Sequence, residues 1–171
     1  MSDTTEPGIT TIMYEHRGTL TFERALVIQW ITALESGEYQ QGAGYMRTKG
    51  DERNPDTYCC LGVVCNIAAP DEWFDHGNGR YGFQLNDEYK DTMPTQYEES
   101  EIELPDDLAA RIGLGPNGER RDGVAFWDKL NGKKNLAEAN DTGTLSFTDI
   151  AASLREYYQI TDSECPRVVA D

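Results

Sequence analysis

The sequence predicts an α+β fold of three or four helices packed on a small antiparallel sheet. Three observations point there. Residues 22–36 and 147–158 repeat apolar side chains at helical spacing. Between them, short apolar or aromatic runs alternate with Gly, Pro, Asn and Asp, the pattern of short strands and turns. The 171 residues suffice for one domain with a real core, and three Trp, nine Tyr and five Phe offset a hydrophobic content of 38%.

In chain order, residues 1–18 read as a flexible, loosely docked arm, residues 19–160 as a single globular domain and residues 161–171 as a tail. The first helix is expected from about Phe22 to Ser36. Thr19 or Thr21 is placed to cap it, Gly37 stands at the C′ position, and Phe22, Leu26, Trp30 and Leu34 form its buried stripe. Three glycines between Gly37 and Gly44 imply turns or close backbone approach, and Tyr45-Met46-Arg47 reads as a short strand. A polar loop around Pro55 leads to Tyr58-Cys59-Cys60-Leu61-Gly62-Val63-Val64-Cys65, which continues as a helix to Ala69 and stops before Pro70.

Residues 70–100 read as loops with short strands, one of them Arg80-Tyr81-Gly82-Phe83. A short helix is expected from Pro105 to Ile112, with Asp106 and Asp107 favouring its dipole and Gly113 ending it. A basic-leaning loop carrying Arg120 and Arg121 follows, and Val124 to Trp127 suits a strand or a helical turn. The last helix runs from Phe147 to Tyr158, with Ser146 and Asp149 resembling a capping box. The sequence shows no internal repeat and no interdomain linker.

The net charge of -16 disfavours direct binding to DNA, RNA or anionic lipid and favours cationic partners. No run is apolar enough to span a membrane, and the acidic N-terminus lacks a signal-peptide core, so a cytosolic, thiol-reducing setting is expected. The carboxylate-rich stretch from Asp87 to Asp107 contains two prolines and fits a solvated acidic loop better than a rigid imitation of DNA phosphates.

Three of the four cysteines, Cys59, Cys60 and Cys65, fall within seven residues. Their spacings match no structural zinc pattern, and adjacent cysteines do not form an unstrained bridge with each other. A catalytic thiol would need a base, and only His16 and His76 could serve directly. Small buried side chains beside Gly62, allowing close packing, account for them best. Asp141-Thr142-Gly143-Thr144 matches the aspartic-protease tetrapeptide, but that chemistry needs two copies and only one is present. It reads as a turn entering the last helix.

No phosphate-loop or dinucleotide fingerprint occurs. The segment Tyr39 to Arg47 nevertheless has the parts of a small-ligand site. Tyr39 and Tyr45 suit base stacking, Gln41 suits polar edges, amides near Gly42 and Gly44 suit a phosphate, and Arg47 suits its charge. The competing reading is a structural turn with a surface arginine. Asn140 and Asp141 join the candidate set as polar residues in a turn that could equally cap a helix. No metal or cofactor is expected.

The stretches Ser36-Gly37-Glu38-Tyr39-x-Gln41-Gly42-x-Gly44-x-Met46-Arg47 and Tyr58-Cys59-Cys60-Leu61-Gly62-Val63-Val64-Cys65-Asn66-Ile67 resemble a group of small bacteriophage and prophage proteins. Those carry "SGxYxQGxGxLR" and "YCCLGVLCDL" signatures. Leu104-Pro105-Asp106-Asp107-Leu108-Ala109-Ala110-Arg111-Ile112-Gly113-Leu114 and Leu136 to Ala151 match their later "LPxxLAxxLGL" and "LAxLND…SFxxIAxLI" pieces, so the likeness spans residues 22–158. One departure is Asn66, where the signature has aspartate. The resemblance implies a context and no particular activity: a small phage product acting in the cytoplasm of an infected bacterium. In that context the sequence suggests an anti-defence protein that sequesters a small nucleotide-type immune signal. An acidic inhibitor or DNA mimic acting on a host protein is the alternative, and a small nucleotide-cleaving enzyme the second. Pocket-forming small proteins often dimerise, so a homodimer stays open, although no interface is marked in the sequence.

Overall fold

The computed structural model describes residues 2–6, 8–14, 18–75, 77–83 and 102–167. His16, His76 and the acidic stretch from Asp87 to Glu101 lie outside the described residues.

Strand β1 (Ser2–Glu6), β2 (Ile9–Tyr14) and β3 (Gly18–Glu23) form an antiparallel sheet in that order. The segment read as a loose arm is therefore strand-paired, and Thr10 and Ile12 are buried. Strand β3 passes directly into helix α1 (Arg24–Ser36). The expected Thr19 or Thr21 cap is absent because Glu23, still extended, occupies the N-cap with no side-chain hydrogen bond to the helix. Phe22 consequently lies on β3. It is buried there, with its ring 4.6 Å from that of Tyr158. Leu26, Val27, Trp30, Ile31 and Leu34 form the buried face of α1, and Gly37 ends the helix in the left-handed region as expected.

Next come β4 (Gln40–Gln41), β5 (Arg47–Thr48) and β6 (Thr57–Tyr58), a three-stranded sheet with β6 in the centre. β4 runs parallel to β6 and β5 antiparallel, so this small sheet is mixed, whereas the β1–β2–β3 sheet is antiparallel as expected. Helix α2 (Cys60–Ala68) follows at once, its first turn capped by the Cys59 thiol, which accepts from Gly62 N at 3.4 Å. A Cβ at Gly62 would overlap the Met46 carbonyl, so glycine alone lets α2 lie this close to the strand-entry backbone. Trp30 Nε1 donates to Cys60 O at 2.9 Å and pins α1 to the start of α2.

The antiparallel pair β7 (Trp73–Asp75) and β8 (Tyr81–Phe83) completes the strands among the described residues. Helix α3 (Asp106–Arg111) begins after Pro105 as expected. Trp127 bridges Lys133 and leads into a single 3-10 turn, Asp128–Leu130. Leu136 to Asp141 forms a helix, α4, which takes in Asn140 and Asp141 from the expected turn; the turn itself follows at Thr142 to Leu145 and leads into the last helix as expected. Asn135 caps it, accepting from Glu138 N at 2.7 Å, and Leu136 and Ala139 bury its inner face. Helix α5 (Phe147–Tyr157) begins with the expected capping box: Ser146 Oγ accepts from Asp149 N, and Asp149 accepts from Ser146 N.

α1 packs against both α2 and α5. Arg155, 4% exposed, donates to both oxygens of Glu35 at 3.1 and 2.6 Å and to Cys165 O at 2.6 Å. Cys165 is itself buried, so the early part of the expected tail is docked on the domain.

Candidate functional site

The loop after α1 is shaped by its exits. Gly37 turns the chain, and pairing of β4 with β6 then aims Gln41 at α4. Gln41 Nε2 donates to Asn140 Oδ1 and to Leu145 O, each at 3.0 Å, while its Oε1 accepts from Phe147 N at 3.1 Å. Asn140, 2% exposed, donates to Gly42 O at 2.7 Å and accepts from Cys60 N at 3.2 Å. Asp141 accepts from Gly44 N at 2.9 Å and from Asn140 Nδ2 at 3.3 Å. Five of the eight sequence candidates, Gln41, Gly42, Gly44, Asn140 and Asp141, therefore meet in one hydrogen-bonded clasp. It joins the loop to α4, to the start of α2 and to the start of α5. Capping by Asn135 places α4 so that Asn140 reaches inward.

The clasp also defines what its members can do. Both hydrogens of the Gln41 amide are engaged, as are those of Asn140. The Gly42 amide donates to Tyr58 O at 2.8 Å, and the Gly44 amide is held by a carboxylate. These groups form a rigid wall. They are not open donors waiting for a phosphate.

The other three candidates stand apart from the clasp. Arg47 donates through Nε and Nη2 to Asp56 Oδ2 at 2.9 and 2.7 Å. Its guanidinium lies 4.1 Å from the Tyr81 ring centre and 5.3 Å from those of Tyr58 and Trp73. A guanidinium enclosed by one carboxylate and three aromatic faces acts as a structural keystone. Tyr39 packs edge-on against Tyr58, with ring centres 5.0 Å apart, and its hydroxyl accepts from Asn66 Nδ2 at 2.8 Å. Tyr45 carries the Arg80 guanidinium at 4.4 Å from its ring centre. Sequence reasoning missed Asp56, Trp73 and Tyr81 around Arg47, because no local spacing marks them.

Asn66, the departure from the signature, is a relay. It donates to Tyr39 and accepts from Trp73 Nε1 at 3.0 Å, joining the loop to β7. An amide can do both, whereas a carboxylate there would make Tyr39 the donor.

Between the clasp and the turn before α5 lies a cleft of about 390 Å³, lined by Gln41, Gly42, Ala43, Asn140, Gly143, Thr144, Leu145 and Ser146. Three of the sequence candidates line it, and none of its lining residues is charged. Gly143 turns through the left-handed region, and the hydroxyls of Thr142 and Thr144 lie 3.1 Å apart beside it. The opening offers peptide edges, a threonine hydroxyl and the Leu145 side chain: a neutral surface suited to a flat polar group.

All four cysteines are free and buried. Burial pushes the Cys59 thiol up to about 11 and the Cys60 and Cys65 thiols well above their ordinary value of 9.0. They stay protonated at neutral pH, which removes their nucleophilicity. Cys65 Sγ rests 3.7 Å from Met46 Sδ, and Cys60 Sγ is directed at Leu136 O at 3.7 Å. Among the described residues no group of His, Cys, Asp and Glu is placed to hold a metal ion, and no helix is long and apolar enough to cross a membrane.

No curated protein and no solved structure matches the chain. A family profile does, over residues 23–158, which takes in α1, the clasp, the cysteine helix and α5. The chain belongs to the family described as Domain of unknown function (DUF8296).

Proposed function

We propose that the chain is a capture protein. It binds a small nucleotide-type molecule, an immune signal of a bacterial host, and holds it without cleaving it. The observation that carries this reading is the uncharged cleft of about 390 Å³ against the Gln41–Asn140 clasp. Its volume lies in the range of small-molecule sites, and its walls are fixed by hydrogen bonds before any ligand arrives. A flat base fits between Gly42–Ala43 and Gly143–Leu145. Tyr45, next along the loop, carries the Arg80 guanidinium 4.4 Å from its ring centre, an aromatic and a cationic group for the rest of the molecule. Protonated, buried thiols favour holding over attack. The likeness to phage proteins supports the cytoplasm of an infected bacterium as the setting.

Calorimetric titration against cyclic ADP-ribose isomers and cyclic dinucleotides tests it. Saturable heat with one of them, lost in a Thr144→Trp variant that fills the cleft from an exposed position, is expected. No heat with any of them, or unchanged binding by Thr144→Trp, overturns it. The net charge of -16 favours a second reading, an inhibitor that grips a basic host protein. That reading requires salt-sensitive co-purification of one host protein and no nucleotide binding.

A further inference from the structure

The chain holds three Asn-Gly pairs, Asn78-Gly79, Asn117-Gly118 and Asn131-Gly132. In such a pair the glycine amide nitrogen can attack the preceding side-chain carbonyl, because no Cβ hinders its approach. The attack needs a glycine N–H free to lose its proton, an asparagine carbonyl held over its own peptide and a side-chain amide free to leave. The structure separates the three pairs on these grounds.

Gly118 N donates to Gly115 O at 2.9 Å, and Gly132 N donates to Trp127 O at 3.0 Å. Both nucleophiles are therefore engaged. Asn117 is held further: its Nδ2 donates to Glu103 at 3.2 Å, and Gly118 is buried. Asn78 is exposed, in the connection between β7 and β8. Its Oδ1 accepts from Arg80 N at 3.1 Å, an Asx turn that folds the side-chain carbonyl back over the Asn78–Gly79 peptide. The same N–H polarises that carbonyl and is placed to stabilise the oxyanion that attack creates. Among the described residues, nothing accepts from the Gly79 amide or from Asn78 Nδ2.

We infer that Asn78 is a self-modification site, converting to isoaspartate and aspartate through a succinimide. Gly79 N bonds to Asn78 Cγ, the Cγ–Nδ2 bond breaks, and ammonia leaves with the proton lost by the Gly79 amide. Water then opens the ring. Opening at the main-chain carbonyl gives isoaspartate, and opening at Cγ gives aspartate; either product adds a negative charge. Isoaspartate also lengthens the main chain by one carbon beside Gly79. Gly79 O accepts from Lys49 N at 2.8 Å, and Arg80 bridges Thr48 while its guanidinium lies over Tyr45. The modification therefore loosens the attachment to β5 that carries Arg80 to Tyr45. None of this depends on what the Gln41 cleft binds.

Incubation of the full chain at stepped pH, followed by peptide mapping with mass spectrometry, tests the inference. Isoaspartate and aspartate at position 78 should accumulate about five- to tenfold faster than at Asn117 or Asn131, the factor that a backbone hydrogen bond on the attacking amide imposes. The rate should rise with pH, because the deprotonated amide is the nucleophile. In urea the three rates should converge, since the hydrogen bonds that separate the pairs are gone. In the isolated isoaspartate form, the Lys49 amide should exchange with deuterium faster than in the parent. The inference is overturned if Asn78 stays intact, if the three native rates are equal, or if the preference for Asn78 persists unchanged in urea.

Discussion

Gln41 Nε2 donates to Asn140 Oδ1 at 3.0 Å, across 99 residues of sequence. The same Asn140 oxygen accepts the first amide of α2 from Cys60. One side chain thus ties the loop after α1, the cysteine helix and α4 together, and the neighbouring cleft takes its shape from that junction.

Asn140→Ala should destabilise the protein by about 2–4 kcal/mol, because it leaves the buried Cys60 amide and the Gly42 carbonyl without their partner. Urea denaturation checks this. Asp141→Asn, at an exposed position that can still accept from Gly44, should cost under about 1 kcal/mol. Equal losses for the two would remove Asn140 from the centre of the fold.

Gly62→Ala should be among the most damaging single-methyl changes, on the order of 3 kcal/mol or more, since the added carbon overlaps the Met46 carbonyl backbone. Expression and thermal melting report it. Met46 O also accepts from Cys59 N at 3.1 Å, so a shift there disturbs the start of α2 as well.

Thiol ionisation sets an alkaline limit on stability. The folded pKa of Cys59 is raised from 9.0 to about 11 by burial, and Cys60 and Cys65 move the same way. The unfolded chain therefore releases these protons first. The stabilisation is fully present below pH 9 and is lost as pH rises towards about 11, by about 2–3 kcal/mol for Cys59 alone. Denaturant titrations at stepped pH, compared with Cys59→Ala, measure this. A thiol reagent should find the native cysteines inert at neutral pH and react with them in urea.

Arg47→Lys should cost about 1–2 kcal/mol despite keeping the charge, because an ammonium cannot bond Asp56 through two nitrogens while lying flat against Tyr81. Thermal melting at low and high salt checks it. A fully tolerated lysine would return Arg47 to the status of a surface charge.

Helices α1, α2 and α5 were legible because their apolar residues recur at helical spacing and their ends carry local signals, Gly37 for α1 and Ser146 with Asp149 for α5. Helix α4 was not, since among its six residues the only fully buried apolar ones are Leu136 and Ala139 and the aspartic-protease-like tetrapeptide suggested a turn. Its one local signal was Asn135 followed three residues later by Glu138. Strand β2 escaped although Ile9, Thr10, Thr11, Ile12 and Tyr14 favour a strand, because the partner that pairs with it, β3, reads locally as the cap and first turn of α1. At the site, the list of polar residues was readable, but their partners were not. Nothing local couples Gln41 to Asn140 or Arg47 to Tyr81, and those contacts turn expected ligand readers into walls.

The central claim is capture without cleavage in the cleft beside that junction. The most direct measurement is to equilibrate the protein with each cyclic nucleotide, remove unbound ligand, denature the protein and analyse the released material by chromatography. The account predicts that one nucleotide is retained by the wild type, is recovered intact, and is absent from Thr144→Trp. Retention of none, or recovery of a cleaved product, would contradict it.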